Sequence, residues 1–154
     1  NKIINMADLV TTISESVTLN GSVRGSSNSL TTTGIVDVFE RIVTCTQSQE
    51  TTVALFETAP YTQPGALDVE NVAYCRLTNL STTDAINLAV VGVAKSYTVK
   101  IRPGGSHILF NGEDVMTGEE DTSPAFTGLE DINKLIVKPA SSTDCQVEVF
   151  VGLT

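Results

Sequence analysis

Tryptophan is absent from this chain, histidine occurs once, and basic residues are scarce. Nine of the 154 residues are Lys or Arg and 18 are Asp or Glu, so the formal net charge is -9. A surface this acidic repels phosphate groups, which argues against nucleic acid as a partner. No apolar run is long enough to span a bilayer, which argues against a membrane partner. The first thirty residues lack a basic end followed by an apolar segment, so no signal peptide is expected.

Three cysteines, Cys45, Cys75 and Cys145, lie far apart in the chain and form no CxxC pair. With only one histidine available, this spacing does not predict a zinc site. We expect three reduced thiols that are buried on strand faces. A single disulfide is the alternative that remains open.

Threonine, serine, valine and asparagine are abundant, and they occur in short runs that alternate between apolar and polar residues. Residues 72–111 contain four such runs, and period-2 alternation is typical of antiparallel strands with one buried face. Pro103-Gly104-Gly105 predicts a chain reversal before the last run. On the return, Ile108 and Phe110 are expected to point inward.

The remaining alternating segments extend the same pattern over the rest of the chain. Asn20-Gly21 predicts a hairpin turn, because both residues tolerate positive φ. Arg24 to Ser29 is interpreted as a polar surface loop. Further strands are predicted at residues 7–19, 35–46, 51–57, 132–138 and 145–153.

The segment Ile35 to Thr46 is apolar on both faces, which predicts either a β-bulge or burial on both sides. Thr51 to Glu57 is expected to pair with it as a hairpin. Residues 58–66 contain two prolines and a glycine, so we interpret them as a loop that crosses between two sheets.

The loop 112–121 is long and acidic, and such loops often carry function. Carboxylates and carbonyls are suitable calcium ligands, but the EF-hand spacing is absent. We expect a solvated loop, with a calcium site as the open alternative.

The residues around His107 are the strongest catalytic candidate. Residues 103–111 are similar to the second cupin motif, but His107 lies one residue too close to the glycine and the first motif is missing. One imidazole is too few for a metal centre. Ser106 and His107 are neighbours in a strand and point to opposite faces, so they cannot form a nucleophile–base pair. We therefore predict no catalytic, metal-binding or cofactor-binding residue and no enzymatic activity.

Together these patterns predict an all-β fold, an antiparallel β-sandwich or jelly roll of about eight or nine strands. We expect one domain over residues 1–154. Residues 1–34 would form an N-terminal arm and a first hairpin, and residues 35–154 the main sandwich.

Three separated segments carry strand-and-turn patterns that resemble those of a known class of protein: Glu40 to Thr44, Val72 to Leu80 and Lys100 to Gly105. The class comprises small β-sandwich virion structural proteins from tailed phages that infect aquatic bacteria. Capsid decoration (cement) proteins are the nearest functional class. The resemblance implies a non-enzymatic protein on the capsid surface of the virion, without cofactors. It also implies two partners: the major capsid protein, and further copies of the chain with which it would form a homotrimer.

We expect Asn1 to Ala7 and Arg24 to Ser29 to contact the shell, because an extended arm can add a strand to an acceptor sheet. The alternative function is a carbohydrate-binding or adhesin module for host-surface attachment. Sugar sites usually expose aromatic rings, and this chain has only Tyr61, Tyr74 and Tyr97 as tyrosines and no tryptophan.

Overall fold

Two packed β-sheets and a long β-ribbon make up the structure, a computed structural model that describes residues 6–116 and 126–154. Short 3-10 turns cover Pro60–Thr62 and Val69–Asn71. The strands in the described residues are β1 (Ala7–Ser14), β2 (Val17–Leu19), β3 (Ser22–Arg24), β4 (Ser27–Ile35), β5 (Asp37–Cys45), β6 (Thr51–Glu57), β7 (Leu67–Asp68), β8 (Val72–Asn79), β9 (Ile86–Val91), β10 (Ser96–Ile101), β11 (Ser106–Leu109), β12 (Lys134–Pro139) and β13 (Cys145–Leu153).

The sandwich has jelly-roll topology. One sheet has the order β11-β8-β13-β5, and the other has the order β10-β9-β12-β6-β7. The pairs β5–β13, β6–β12, β8–β11 and β9–β10 are all antiparallel, as in a long hairpin rolled up from its tip. Only the short β7 runs parallel to its neighbour β6. The predicted all-β sandwich is therefore confirmed.

The core lies between the facing sides of the two sheets. Alternate residues of each strand point inward, as period-2 patterning requires, and fully burying each large aliphatic side chain contributes about 1.5–3 kcal/mol. The almost completely buried aliphatic side chains on these strands are Leu77, Ile86, Leu88, Val90, Leu135, Val137, Val147, Val149 and Val151.

Strands β1 to β4 form one two-stranded ribbon that precedes the sandwich. β1 pairs with β4 as a stem, and β2 pairs with β3 as a tip. The predicted turn at Asn20-Gly21 closes the tip, with φ of 50° and 77°. The structure has 13 strands in the described residues, rather than eight or nine, because this ribbon contributes four.

Two local expectations in the first third of the chain are wrong. Arg24 to Ser29 is not a polar loop, because Arg24 ends β3 and Ser27 begins β4. β5 and β6 do not form a hairpin, because β5 pairs with β13 in one sheet and β6 pairs with β12 in the other. The segment between β5 and β6 crosses from sheet to sheet, which local alternation cannot reveal.

Strand β5 also differs from its predicted environment. Its pairing with β13 runs without a register shift, so the strand contains no bulge there. Its second apolar face is not buried either: Val36 just before the strand, and Val38 and Ile42 within it, are 50%, 47% and 62% exposed. β5 is an edge strand of the four-stranded sheet, and these side chains face away from the core.

The faces of β11 are the reverse of those predicted. His107 and Leu109 lie opposite the core residues Leu77 and Cys75, whereas Ile108 lies opposite Arg76 on the outer face. Phe110 is 45% exposed and contacts the ring of Tyr74. The outer face of this sheet also carries apolar and aromatic side chains, because the ribbon covers part of it. Hydrophobicity alone therefore did not show which side of β11 faces the core.

Asn79 is the one fully buried polar residue among the described residues. Its Nδ2 donates to the carbonyl oxygens of Asp84 at 2.8 Å and of Ile101 and Arg102, each at 3.3 Å. Its Oδ1 accepts from the Ser81 amide at 3.0 Å. One side chain thus joins the β8–β9 and β10–β11 connections, where the chain passes between the sheets.

Replacing Asn79 with alanine should lower the free energy of unfolding by about 2–4 kcal/mol, because the carbonyls it serves lose a donor in a site closed to water. Urea denaturation measures this loss. Asn111→Ala, at an exposed asparagine, should change the value by less than about 0.5 kcal/mol. Equal effects of the two substitutions would show that the amide has no organising role.

Candidate partner-binding surface

The strand pairing of the ribbon is interrupted where its stem meets its tip, between Ser14–Ser27 and Val17–Arg24. The Glu15 amide donates to the Ser26 carbonyl at 2.9 Å, and Gly25 has φ of 130°. A Cβ at Gly25 would lie 1.9 Å from the Glu15 carbonyl oxygen. Only glycine fits this conformation and this close backbone approach, so the junction between stem and tip requires Gly25.

Most side chains of the ribbon are exposed, including most of its large apolar ones. Residues 7–35 carry only three charged residues, Asp8, Glu15 and Arg24, and contain neither lysine nor proline. Exposed edges in natural sheets usually carry such residues to prevent pairing with other chains. The exposed large apolar side chains in and just before the ribbon are Met6, Val10, Ile13, Val17, Leu19, Val23 and Leu30.

The base of the ribbon is fixed to the sandwich. Ile35 is 5% exposed, and the Val36 amide donates to the Leu153 carbonyl at 2.9 Å. A Cβ at Gly152 would lie 3.2 Å from Leu9 Cδ2 and 3.5 Å from Ile35 Cδ1. The missing side chain at Gly152 therefore makes room for the ribbon to cross β13.

An aromatic and charged cluster lies on the outer face of the four-stranded sheet. The Tyr74 ring meets the Phe110 and Phe150 rings edge to face at 5.7 and 5.9 Å. Arg76 lies over Phe150 at 5.9 Å and pairs with Glu148 at 2.5 Å. Both partners of this ion pair are about one-quarter exposed, so it contributes little stability but orders the face.

The ribbon covers this cluster only in part. A cleft of about 310 Å³ separates Leu9 to Ile13 from Tyr74, Arg76, Ile108 and Phe150. The large apolar side chains of the tip, Val17, Leu19 and Val23, are 57%, 58% and 72% exposed. The other half of the outer face, with Val38 and Ile42 on β5, is left exposed.

His107 and Ser106, the catalytic candidates in the sequence, have different partners. His107 Nε2 lies 2.9 Å from the Tyr97 hydroxyl, and Ser106 Oγ lies 2.7 Å from Thr78 Oγ1. Burial lowers the pKa of His107 and raises that of Tyr97. The His107–Tyr97 pair joins the edge strands β11 and β10 and thereby ties the two sheets together.

Two carboxyl groups among the described residues have a displaced pKa, and in both it is lowered. Hydrogen bonds from Thr83 and Ser141 lower the pKa of Asp84. The pKa of Glu130 is lowered chiefly by a hydrogen bond from the Ala94 amide at 3.0 Å. The Glu130 carboxylate also accepts a hydrogen bond from the Lys95 amide. Both carboxylates order turns, and neither has the raised pKa of a general acid.

The residue types that could bind a metal do not converge in the described parts of the chain. No group of three or more His, Cys, Asp or Glu side chains there could hold a metal ion. Within the acidic loop, the Asp114 backbone amide donates a hydrogen bond to Asp131 Oδ1 at 3.0 Å. Residues 117–121 of this loop lie outside the described residues. No described helix is long and apolar enough to cross a membrane.

Sequence reasoning missed the two glycines that shape the ribbon and the exposure of its side chains. The run of β-branched residues at 31–33 next to Ser27 to Leu30 was the available signal for β4. Gly25 and Gly152 act through the absence of a side chain, which no local pattern shows. Comparison of the chain with protein-family models, with curated proteins and with solved structures finds no match.

His107 makes stability depend on pH in a defined window. Its folded pKa is depressed, so the unfolded chain binds the proton more tightly, and stability is lost as the pH falls below about 6.5. Between pH 7.5 and 5.5 the Tm of the wild type should fall about 2 °C more than that of His107→Gln. Because the chain has one histidine, equal slopes in the two proteins would contradict this assignment.

A larger side chain at Gly152 should displace the ribbon. Gly152→Val places methyl groups where Leu9 and Ile35 pack, so amide hydrogens in β1 and β4 should exchange at least about tenfold faster, while those in β9 and β12 stay protected. Hydrogen-exchange mass spectrometry measures both regions. Gly152→Ala is the control with a smaller side chain, and it should accelerate exchange in β1 and β4 less than the valine variant does. If exchange in β1 and β4 of the valine variant were unchanged, the ribbon would not depend on this contact.

Proposed function

We propose that this chain is a non-enzymatic virion structural protein, a capsid decoration protein that binds the outside of a phage head and stabilises it. The observation that carries the proposal is the ribbon: an element with many exposed apolar side chains and few charges, attached to the sandwich at its base. The resemblance of residues 35–153 to virion structural proteins of tailed phages supplies the class. The jelly-roll topology is compatible with this role but is shared with many functions.

The ribbon suits a contact with the major capsid protein. Both of its strands have a free edge, and an acceptor sheet can pair with such an edge by strand addition. A two-stranded ribbon is only marginally stable by itself in water. A partner that covers it would bury its exposed apolar side chains, and this burial would stabilise both the ribbon and the complex. The expected contact segments fall on this element, since Ala7 begins β1 and Ser27 to Ser29 belong to β4, while Asn1 to Asn5 lie outside the described residues.

Self-association would use the part of the outer face that the ribbon leaves uncovered. Val36, Val38 and Ile42 form an exposed apolar strip along the edge strand β5. The chain as a whole is strongly acidic, whereas this strip carries one exposed carboxylate, Glu40, so copies meet there with less repulsion than at the more acidic parts of the surface. We propose a homotrimer, because threefold positions of a capsid lattice are common sites for the class that this chain resembles.

The exposed valines of the tip provide the test of shell binding. Val17→Ser with Val23→Ser should lower the affinity for heads assembled from the major capsid protein encoded beside this chain by at least about tenfold. The Tm should stay within about 2 °C, because both positions are exposed. Co-sedimentation with the heads measures affinity.

Val93→Ser is the matched control, since Val93 is even more exposed than the two tip valines but lies on the β9–β10 turn of the sandwich. Its affinity should equal that of the wild type. Equal loss in both variants would exclude a specific role for the ribbon. A full chain that binds no heads and sediments as a monomer at high concentration would overturn the decoration proposal itself.

A carbohydrate-binding or adhesin module is the second candidate, and one observation favours it. A shallow hollow of about 280 Å³ on the outer face of the five-stranded sheet is lined by Glu50, Asn87, Thr98 and Lys138, which can hydrogen-bond sugar hydroxyls. No aromatic residue lines it. Glycan-array binding that is lost on Asn87→Ala, without binding to heads, would favour this candidate.

A further inference from the structure

Cys45 and Cys145 lie directly opposite each other in the antiparallel β5–β13 ladder. They form its last pair, at the end of the sandwich away from the ribbon. Opposed residues in such a ladder point to the same face, with Cα atoms about 4.5–5.5 Å apart, and disulfides span Cα distances of about 4.4–6.8 Å. Both side chains are buried on the core face, and all three cysteines of the chain carry free thiols.

We propose that Cys45 and Cys145 are a redox-active pair that closes to a cross-strand disulfide when the protein meets a small disulfide oxidant such as oxidised glutathione. The register supplies the geometry without any movement of the strands. Cys145 Sγ lies 3.7 Å from the Thr143 carbonyl, so a rotation about its Cα–Cβ bond is the movement needed to turn it toward Cys45.

Cys145 is the less buried member of the pair, at 2% exposed against 0% for Cys45, so an oxidant reaches the pair through Cys145 when the cleft opens locally. A surface cleft of about 370 Å³ is lined by Leu80 to Asp84 and by Thr143 to Gln146, and this places Cys145 at its wall. Cys45 lies behind it and is fully buried. Cys75 has a different environment: it lies on the core face of β8, and burial raises its pKa to about 12.

The exchange proceeds in two steps that balance. The Cys145 thiolate attacks one sulfur of oxidised glutathione, forming a mixed disulfide and releasing one glutathione thiolate. The Cys45 thiolate then attacks Cys145 Sγ, so that the protein disulfide forms and the second glutathione thiolate leaves. The two protons lost by the protein thiols go to the two glutathione molecules, and the protein is oxidised by two electrons.

Thiolate supply sets the rate of the first step. Burial raises the pKa of Cys145, with the nearby Asp84 carboxylate adding to the effect, and burial likewise raises the pKa of Cys45. The pair should therefore close slowly at pH 7 and at least about 20-fold faster at pH 8.5, because the thiolate is the attacking form and its fraction rises almost tenfold per pH unit below the raised pKa.

The test incubates the full chain with oxidised glutathione, denatures it, and alkylates the remaining thiols with iodoacetamide. The wild type should drop from three alkylated cysteines to one, and Cys75→Ser from two to none. Cys45→Ser and Cys145→Ser should not form a protein disulfide. Digestion with trypsin and a glutamate-specific protease separates Cys45 from Cys75 at Glu50, so mass spectrometry can identify the Cys45–Cys145 link in the wild type even where a variant fails to fold.

The oxidised wild type should also melt about 5–10 °C higher, because the bond closes a loop of about 100 residues. Persistence of three alkylatable thiols after prolonged oxidation at pH 8.5 would overturn the proposal. So would a disulfide that includes Cys75, an intermolecular disulfide on a non-reducing gel, or a stable glutathione adduct on Cys145. None of these outcomes bears on whether the chain binds a capsid, so the two proposals fail separately.

Discussion

The four-stranded sheet carries large apolar or aromatic side chains on both faces, and this constraint shapes the rest of the molecule. Its inner face is covered by the other sheet, but Tyr74, Ile108, Phe110 and Phe150 on the outer face also need cover. The ribbon supplies part of that cover, and Gly152 makes room for it. The apolar side chains of the ribbon that do not reach the sheet, and the strip on β5, remain available to a partner.

Most strand positions of the sandwich could be predicted from the sequence, but strand partners, and β4 of the ribbon, could not. Period-2 alternation identifies residues that share a face, and the face of Ile86, Leu88 and Val90 is fully buried as expected. Pairing in a jelly roll joins strands far apart in sequence, such as β5 and β13, and no local signal encodes that. The predicted β5–β6 hairpin failed for this reason.

Alternation also cannot say which of two apolar faces is the inner one. A one-residue shift exchanges the two faces of a strand, and hydrophobicity fixes the choice only where one face is polar. On β11 both faces carry apolar or aromatic residues, so Ile108 and Phe110 were assigned inward although His107 and Leu109 occupy that side. The candidate surface was harder still to predict, because its main determinants, Gly25 and Gly152, contribute space rather than chemistry.

The two ends of β13 connect the candidate surface to the body of the protein. At one end Gly152 lies beneath the ribbon, and the Leu153 carbonyl accepts from Val36, the residue that links the ribbon to β5. At the other end Cys145 faces Cys45. A force applied to the ribbon would therefore be transmitted to β5. It would act on the nine residue pairs of the β5–β13 ladder, which run from Asp37–Leu153 to Cys45–Cys145. A covalent bond at the far end would hold β5 to β13 even when the hydrogen bonds of the ladder yield, because β5 is an edge strand with no second neighbour in its sheet.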